Sequence, residues 1–222
     1  MRNILALALS LAAEPALAAD AAHPTVVELF ESQGCSSCPP ANAALAAYAG
    51  RPDWIALTFA VTYWDRLGWK DTFAQGAFTE RQYAYGRALG GGVYTPEVVV
   101  NGRSAGVGAD VAEVEGLAAK ADRGSTGPKL SFEGDAVAVS AGSGGGEVWL
   151  ALYEPHPADV AVPRGENAGR TLAHRNVVRR LLRLGAWSGA AVRLALPPAE
   201  GLSRAVWVQG KGAGAILAAA RG

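Results

Sequence analysis

Cys35 and Cys38 are the residues of this chain whose type and spacing most directly suggest chemistry, and they are its only cysteines. They stand as Cys-x-x-Cys in the segment FESQGCSSCPPANAAL. Such a pair can exchange with other thiols and disulfides, because one thiolate attacks a disulfide sulfur and the second thiol releases the mixed disulfide. The pair can instead form a structural disulfide, or bind Cu(I), a soft ion that thiolates favour. Two cysteines exclude a disulfide framework and a closed four-cysteine zinc site.

The order of the two cysteines predicts their roles. Cys35 comes first, and we expect it to be the accessible, more acidic thiol that attacks, since free N–H groups at a helix start favour a thiolate. We expect Cys38 to be shielded and to act as the resolving thiol. Pro39 and Pro40 follow directly. Because proline is tolerated only in the first turn, the helix should begin near Ser37 or Cys38.

The elements around the cysteines are predicted in the order strand, helix, strand, helix, hairpin, helix, which is the order of the thioredoxin fold. The apolar runs TVVELF and WIALTFAV indicate buried strands, and Asn101-Gly102 indicates a type I′ hairpin turn. Thr95-Pro96 stands just before the hairpin, where thioredoxin-like proteins place a cis-proline against the cysteine pair. We therefore predict one sheet for residues 26–30, 55–61 and 98–100, a cis Thr95–Pro96 bond, and a catalytic site of both cysteines with Thr95 and Pro96.

The second half of the chain has a different pattern. After the linker-like segment DRGSTGP, short alternating runs such as AVAVS, VWLALYE and AVWVQ are separated by glycine- and proline-rich turns. This pattern is typical of an antiparallel β-sandwich or a partly open barrel. The run RNVVRRLLRLGAW suits either a helix or a strand, and we interpret it as a strand. The predicted architecture is an α/β thioredoxin-like domain over residues 19–122, followed by an all-β domain over residues 129–222.

The chain also resembles a group of secreted bacterial proteins, the domain-of-unknown-function family 1223. The segments that carry the resemblance are VELFESQGCSSCPPAN, YWDRLGWKDTF, FTERQ, YTPEVVVNG and RGENAGRTLAHRNVVR. The resemblance implies a thioredoxin-like fold with an added all-β part. It implies no particular activity.

An aromatic segment, TYWDRLGWKDTF, follows the second predicted strand. Tyr63, Trp64, Asp65 and Trp69 could line a groove for a peptide or a small thiol, although packing beside the core explains them somewhat better. A second hypothesis gives Asp65 a chemical role, as the carboxylate that accepts the proton of Cys38.

Other polar residues suggest no separate site. The charged, glycine-rich loop RGENAGR, from Arg164 to Arg170, could bind a carboxylate, but a surface pairing of Glu166 with Arg164 or Arg170 is favoured. No metal and no cofactor are predicted. The histidines show no ligand spacing, and His174 is interpreted as structural; they are His23, His156 and His174.

The N-terminus is typical of an export signal. A positive Arg2 precedes the apolar run ILALALSLAA, and ALA ends at Ala18 in a small-x-small pattern, so residues 1–18 are predicted to be a signal peptide cleaved near Ala18. The mature chain would be periplasmic or secreted, with no membrane span. Lys plus Arg and Asp plus Glu both total 20, so nothing predicts a nucleic-acid partner.

Together these patterns predict an exported thiol–disulfide exchange protein. Its partner would be a thiol or disulfide protein, or a small thiol. The alternative is a non-catalytic binding protein, either a Cu(I) carrier or a protein-interaction module, in which the cysteines are ligands or a structural disulfide.

Overall fold

The computed structural model describes residues 20–222, and the predicted signal peptide lies outside them. The described chain forms three α-helices, which are α1 (Cys38–Ala46), α2 (Gly76–Leu89) and α3 (Val111–Lys120), and a short 3-10 helix at Asp65–Leu67. The strands of the first half are β1 (Thr25–Glu31), β2 (Trp54–Ala60), β3 (Glu97–Val100) and β4 (Ser104–Gly106). The strands of the second half are β5 (Leu130–Glu133), β6 (Ala136–Val139), β7 (Gly146–Tyr153), β8 (Ala158–Val162), β9 (Arg170–His174), β10 (Val178–Trp187), β11 (Val192–Ala195), β12 (Ser203–Gln209) and β13 (Ile216–Arg221).

The first half folds around one mixed four-stranded sheet in the order β2-β1-β3-β4. Strand β1 runs parallel to β2 and antiparallel to β3, and β4 pairs with β3. The prediction that three segments share one sheet is confirmed, and so is the cis bond between Thr95 and Pro96. The hairpin turn is also as predicted: φ is 49° at Asn101 and 61° at Gly102. The Arg103 amide donates to the Val100 carbonyl at 2.9 Å and closes the turn.

Alternation along β1 decides what each face of this sheet contacts. Val27 and Leu29 point to the side of α1 and α3, where they join one apolar cluster. Val26 and Phe30 point to the opposite side, where they pack with α2 and with residues of the second half. Because successive side chains of a strand alternate between faces, Glu28 and Glu31 also lie on opposite sides of the sheet.

Within residues 129–222, all of which the structure describes, the regular elements are strands, and the ambiguous run over residues 175–187 contains strand β10 as expected. The sheet β10-β7-β12-β13 contributes side chains to a hydrophobic cluster on each of its faces. In β7, Ala151 and Tyr153 pack against the first sheet, whereas Val148 and Leu150 pack against the sheet β11-β6-β5. The two halves of the chain therefore share one of their hydrophobic clusters.

A short segment before β10 ties the second half to the edge of the first sheet. Thr58 on β2 donates its amide to the Asn176 carbonyl at 3.1 Å and its hydroxyl to the Arg175 carbonyl at 2.8 Å. This pairing places the β8–β9 hairpin, which directly precedes it, beside α1. None of the helices in the described residues is long and apolar enough to cross a membrane.

Candidate functional site

The cysteine pair is a disulfide that joins Cys35, in the loop after β1, to Cys38, the first residue of α1. Helix α1 begins at Cys38 with prolines in its first turn, so the expected helix start is confirmed. The fixed φ and missing N–H of Pro39 and Pro40 cost nothing there, because the first N–H groups of a helix have no internal partner.

The expected accessibility of Cys35 is wrong for this disulfide form. Cys35 is 0% exposed and Cys38 is 1% exposed. On one side, Trp64 lies so close to Gly34 that a Cβ on that glycine would be 3.4 Å from the Trp64 Cβ. On another side lies a loop from the second half of the chain. The sequence places Cys35 at a strand–helix junction, but the packing of remote segments decides its exposure.

The proline loop lies against the cysteine motif, as predicted. The Ser37 hydroxyl is 3.4 Å from the Thr95 carbonyl oxygen and also 3.4 Å from the Cys35 sulfur. The Trp64 indole N–H donates to the Thr95 hydroxyl at 2.7 Å. Thr95 is thus brought together with the cysteines through Ser37 and Trp64.

Beside the proline loop, Tyr63 lines a cavity of about 420 Å³ together with Thr62, Arg66, Tyr83 and Val93. Burial raises the pKa of Tyr63 to about 12, so its hydroxyl stays protonated at neutral pH. The hydroxyl donates to the Gln82 side-chain carbonyl at 3.2 Å. Of the four predicted groove residues, Tyr63 is the one that lines this cavity.

The remaining groove candidates hold the loop before the cysteines. The Trp69 indole N–H donates to the Gln33 side-chain carbonyl at 2.9 Å. Asp65 accepts the Asp71 amide at 3.1 Å, and Asp71 accepts the Gln33 amide at 2.6 Å. Asp65 therefore supports the loop through Asp71, and a different carboxylate is bonded to the helix that carries Cys38.

That carboxylate is Glu31, the last residue of β1, which is fully buried. It accepts a hydrogen bond at 3.3 Å from Asn42, which lies one turn after Cys38 on the same face of α1. His174 Nδ1 lies 3.5 Å from Glu31 Oε1. Burial, with a smaller contribution from the charge of Asp71, raises the pKa of Glu31 well above its usual range. Burial also lowers the pKa of His174 to about 4, so burial favours the neutral form of both groups.

This buried group has polar atoms without hydrogen-bond partners: Glu31 Oε1, Asn42 Oδ1 and both ring nitrogens of His174. Unsatisfied buried polar atoms are rare, and a redox or catalytic role is one of their known explanations. Sequence reasoning missed Glu31 because a lone glutamate at a strand end carries no motif. The sequence analysis interpreted His174 as structural and did not predict its contact with Glu31.

The depressed pKa of His174 leads to a pH-dependent contribution to stability. The unfolded chain binds a proton at His174 below pH 6.5, but the folded protein does not until about pH 4. This histidine's contribution to stability is therefore complete above pH 6.5 and is lost as the pH falls from 6.5 to about 4, by about 3 kcal/mol in total.

We expect the difference in unfolding free energy between wild type and His174→Gln to shrink by this amount from pH 7 to pH 4, as measured by urea denaturation. The raised pKa of Glu31 acts in the opposite direction. Because Glu31 contacts His174, the same comparison in a Glu31→Gln background isolates the histidine. His156→Gln, in an exposed turn, is the matched control. Parallel curves for wild type and His174→Gln would contradict the prediction.

The 164–170 loop, which joins β8 to β9 and includes the first residue of β9, was misjudged by sequence reasoning. Glu166 does not pair with a neighbouring arginine; it accepts the Ser36 amide at 3.1 Å and the Ser36 hydroxyl at 2.7 Å. Asn167 donates to the carbonyls of Cys35 at 2.8 Å and Gln33 at 3.0 Å. In the sequence, the one indication of this contact is that the cysteine segment and the RGENAGR segment are both among those that carry the family resemblance.

The three histidines lie in separate parts of the structure. His23 bonds to Asp20 near the start of the described chain, His156 is exposed, and His174 is buried beside Glu31. Among residues 20–222, no group of three or more His, Cys, Asp or Glu side chains is placed to hold a metal ion.

Comparison with known proteins identifies the family. The family described as "Protein of unknown function (DUF1223)" matches residues 26–209, a span that includes the cysteine motif, the proline loop and the 164–170 loop. The chain belongs to the DUF1223 family. No curated protein matches it.

Two solved structures are similar to this DUF1223 chain. Protein AGR_C_4864 from Agrobacterium tumefaciens is 34% identical, with a TM-score of 0.75 over 89% of this chain and 92% of that one. HBP35 of Porphyromonas gingivalis is 12% identical, with a TM-score of 0.60 over 90% of this chain and 74% of that one. The second likeness concerns the fold alone.

Proposed function

We propose that this protein is an exported, thioredoxin-like thiol–disulfide exchange protein in which Cys35 is attacked or attacks and Cys38 resolves. The observation that carries the proposal is the disulfide at the start of α1, with the Thr95–Pro96 loop beside it. The order of elements and the mixed sheet β2-β1-β3-β4 support a thioredoxin-like unit over residues 19–122, with a β unit over residues 129–222. The predicted signal peptide supports a periplasmic or secreted location, where disulfides persist.

The buried Glu31 supplies the proton chemistry in this proposal. When an incoming thiolate attacks Cys35, the S–S bond breaks and Cys38 leaves as a thiolate, which must then take up a proton. A carboxyl group whose pKa is raised by burial can donate that proton, and its carboxylate can remove it when Cys38 resolves a mixed disulfide. Its bond to Asn42 holds Glu31 against the helix that begins with Cys38. His174 lies next to Glu31 and stays neutral there, because burial lowers its pKa to about 4, so the proton remains on the carboxyl group.

A structural disulfide is the second candidate, because both cysteines are buried. The reduction potential separates the two. A structural disulfide of a secreted protein has a potential below about −300 mV, whereas disulfides that take part in exchange have higher potentials.

We expect the potential of the Cys35–Cys38 pair, measured by equilibration with dithiothreitol buffers, to lie above about −300 mV. We also expect small amounts of the protein to accelerate exchange between glutathione and a peptide disulfide. Protein alkylated at both cysteines is the control. A potential below that value, with no acceleration, would identify the pair as a structural disulfide.

A further inference from the structure

The 164–170 loop reaches the cysteine motif from far along the chain. Glu166 and Asn167 are 130 and 132 residues away in sequence from the residues that they contact, Ser36 and Cys35. The loop joins β8 to β9, and α1 packs against β9. Local sequence therefore does not bring the loop to the disulfide; the packing of the second half on the first half does.

Asn167 holds the loop to the backbone of the motif itself. Its side chain is fully buried, and its amide nitrogen donates to the carbonyls of Gln33 and Cys35. The Arg170 guanidinium donates to the Asn167 side-chain oxygen at 2.7 Å, which fixes the orientation of the amide. The Asn167 amide nitrogen thus donates to the cysteine motif, and its amide oxygen accepts from Arg170 within the loop.

Glu166 makes the second contact, at the solvent-facing side of the disulfide. Its carboxylate accepts both donors of Ser36, the residue between Cys35 and Ser37. These two bonds lower the pKa of Glu166, so it is ionised at neutral pH. A negative charge is therefore held one residue from the sulfur that a thiolate would approach.

A glycine lets the loop approach closely. Gly165 has φ +82°, and a Cβ built on it would lie 3.4 Å from the Trp69 Cβ. Trp69 in turn donates to Gln33. The loop, Trp69 and Gln33 are therefore connected around Cys35 by direct contacts.

Thiol–disulfide exchange requires that a thiolate reach the Cys35 sulfur, and the packing around Cys35 prevents this. A thiolate must approach the Cys35 sulfur in line with the S–S bond, yet Cys35 is 0% exposed. We propose that the 164–170 loop is an intramolecular cover that a thiol-bearing partner must displace before it can attack Cys35; this proposal rests on the proposed function. In the step that follows, the partner's thiolate forms a mixed disulfide with Cys35, and Cys38 leaves with the electron pair and takes up a proton. A second thiolate of the partner then attacks the partner sulfur that is bonded to Cys35. The bond to Cys35 breaks and Cys35 leaves as a thiolate, so the partner is oxidised and the protein is reduced.

The test is the rate of reduction of the disulfide by dithiothreitol, compared among folded variants. Glu166→Ala removes the contacts to Ser36, and Asn167→Ala removes the contacts to Gln33 and Cys35. We expect each variant to be reduced roughly tenfold faster than wild type, since hydrogen bonds to charged or buried groups are lost. Glu115→Ala, which removes an exposed carboxylate on α3, is the matched control and should change the rate by less than about twofold.

Two outcomes would overturn the proposal. One is wild-type rates of reduction in both loop variants; if Asn167→Ala does not fold, the exposed Glu166→Ala decides alone. The other is an equal acceleration in Leu150→Ala, a core variant in β7, because access would then come from general destabilisation rather than from the loop. Failure of the proposed function looks different: the loop variants are reduced faster, but no protein form accelerates exchange between glutathione and a peptide disulfide.

Discussion

Cys35→Ser is expected to reduce exchange with a peptide disulfide to the uncatalysed rate, whereas Cys38→Ser is expected to accumulate a long-lived mixed disulfide on Cys35. The physical reason is the division of roles at the start of α1. Cys35 forms the bond to the partner, and only Cys38, four residues before Asn42 on the same helix, is placed to break that bond again. Mass spectrometry of the protein after reaction with the peptide measures the adduct directly.

The chain offers its own control for this experiment. It has no cysteines other than these two, so any adduct on a single variant is on the cysteine that remains. Removal of the cover, by Glu166→Ala in the Cys38→Ser background, should speed the formation of the adduct without changing its lifetime. Equal and slow reaction of both single variants would contradict the assigned roles and would favour a structural disulfide.

Arg81→Met is expected to lower the unfolding free energy by about 3–5 kcal/mol, because it leaves Glu28 as an unpaired buried carboxylate. Both side chains are almost fully buried, and the guanidinium of Arg81 donates to both carboxylate oxygens of Glu28, with the second contact at 2.9 Å. It also donates to the Tyr85 hydroxyl at 2.9 Å and to Gln209 at 3.1 Å. Urea denaturation under oxidising conditions measures the loss.

Arg81 also connects the two halves of the chain, because Gln209, which accepts one of its hydrogen bonds, lies on β12. The guanidinium carbon of Arg81 is 5.1 Å from the ring centre of Trp207 on β12 and 5.7 Å from that of Trp149 on β7. We therefore expect the loss of Arg81 to weaken the packing of the second half on the first sheet as well as the pair itself.

Two further variants test whether the loss of stability comes from the Arg81–Glu28 ion pair. Arg183→Met breaks the ion pair of Arg183 with Glu147 and should cost less than about 1 kcal/mol, because Arg183 is 49% exposed and water screens the charges. The double variant Glu28→Gln with Arg81→Met should recover part of the lost stability, since no unpaired charge remains. A double variant as unstable as the sum of its single variants would show that the two residues do not interact.

Local patterns determined the elements that carry the chemistry. Cys-x-x-Cys followed by two prolines predicted a strand–helix junction with the helix beginning near Ser37 or Cys38, because proline is compatible only with a first helical turn, and the helix begins at Cys38. Asn101-Gly102 predicted its turn for a similar reason, since both residues take positive φ at low cost. The position of Thr95-Pro96 before the hairpin predicted a proline loop beside the cysteines by resemblance to thioredoxin-like proteins.

Only the tertiary structure decided what surrounds the disulfide. The exposure of Cys35, the pairing of Glu31 with His174 and the contact of Glu166 with Ser36 all join segments that are far apart in sequence. A glutamate in a glycine-rich loop has the same local pattern whether it faces water or accepts a distant amide, so neither spacing nor periodicity distinguishes the two. The outcome depends on the second half, whose β10 region pairs with the edge of β2 and whose sheet buries the free face of the first sheet. That packing brings the β8–β9 hairpin over the cysteines and so determines which groups can reach them.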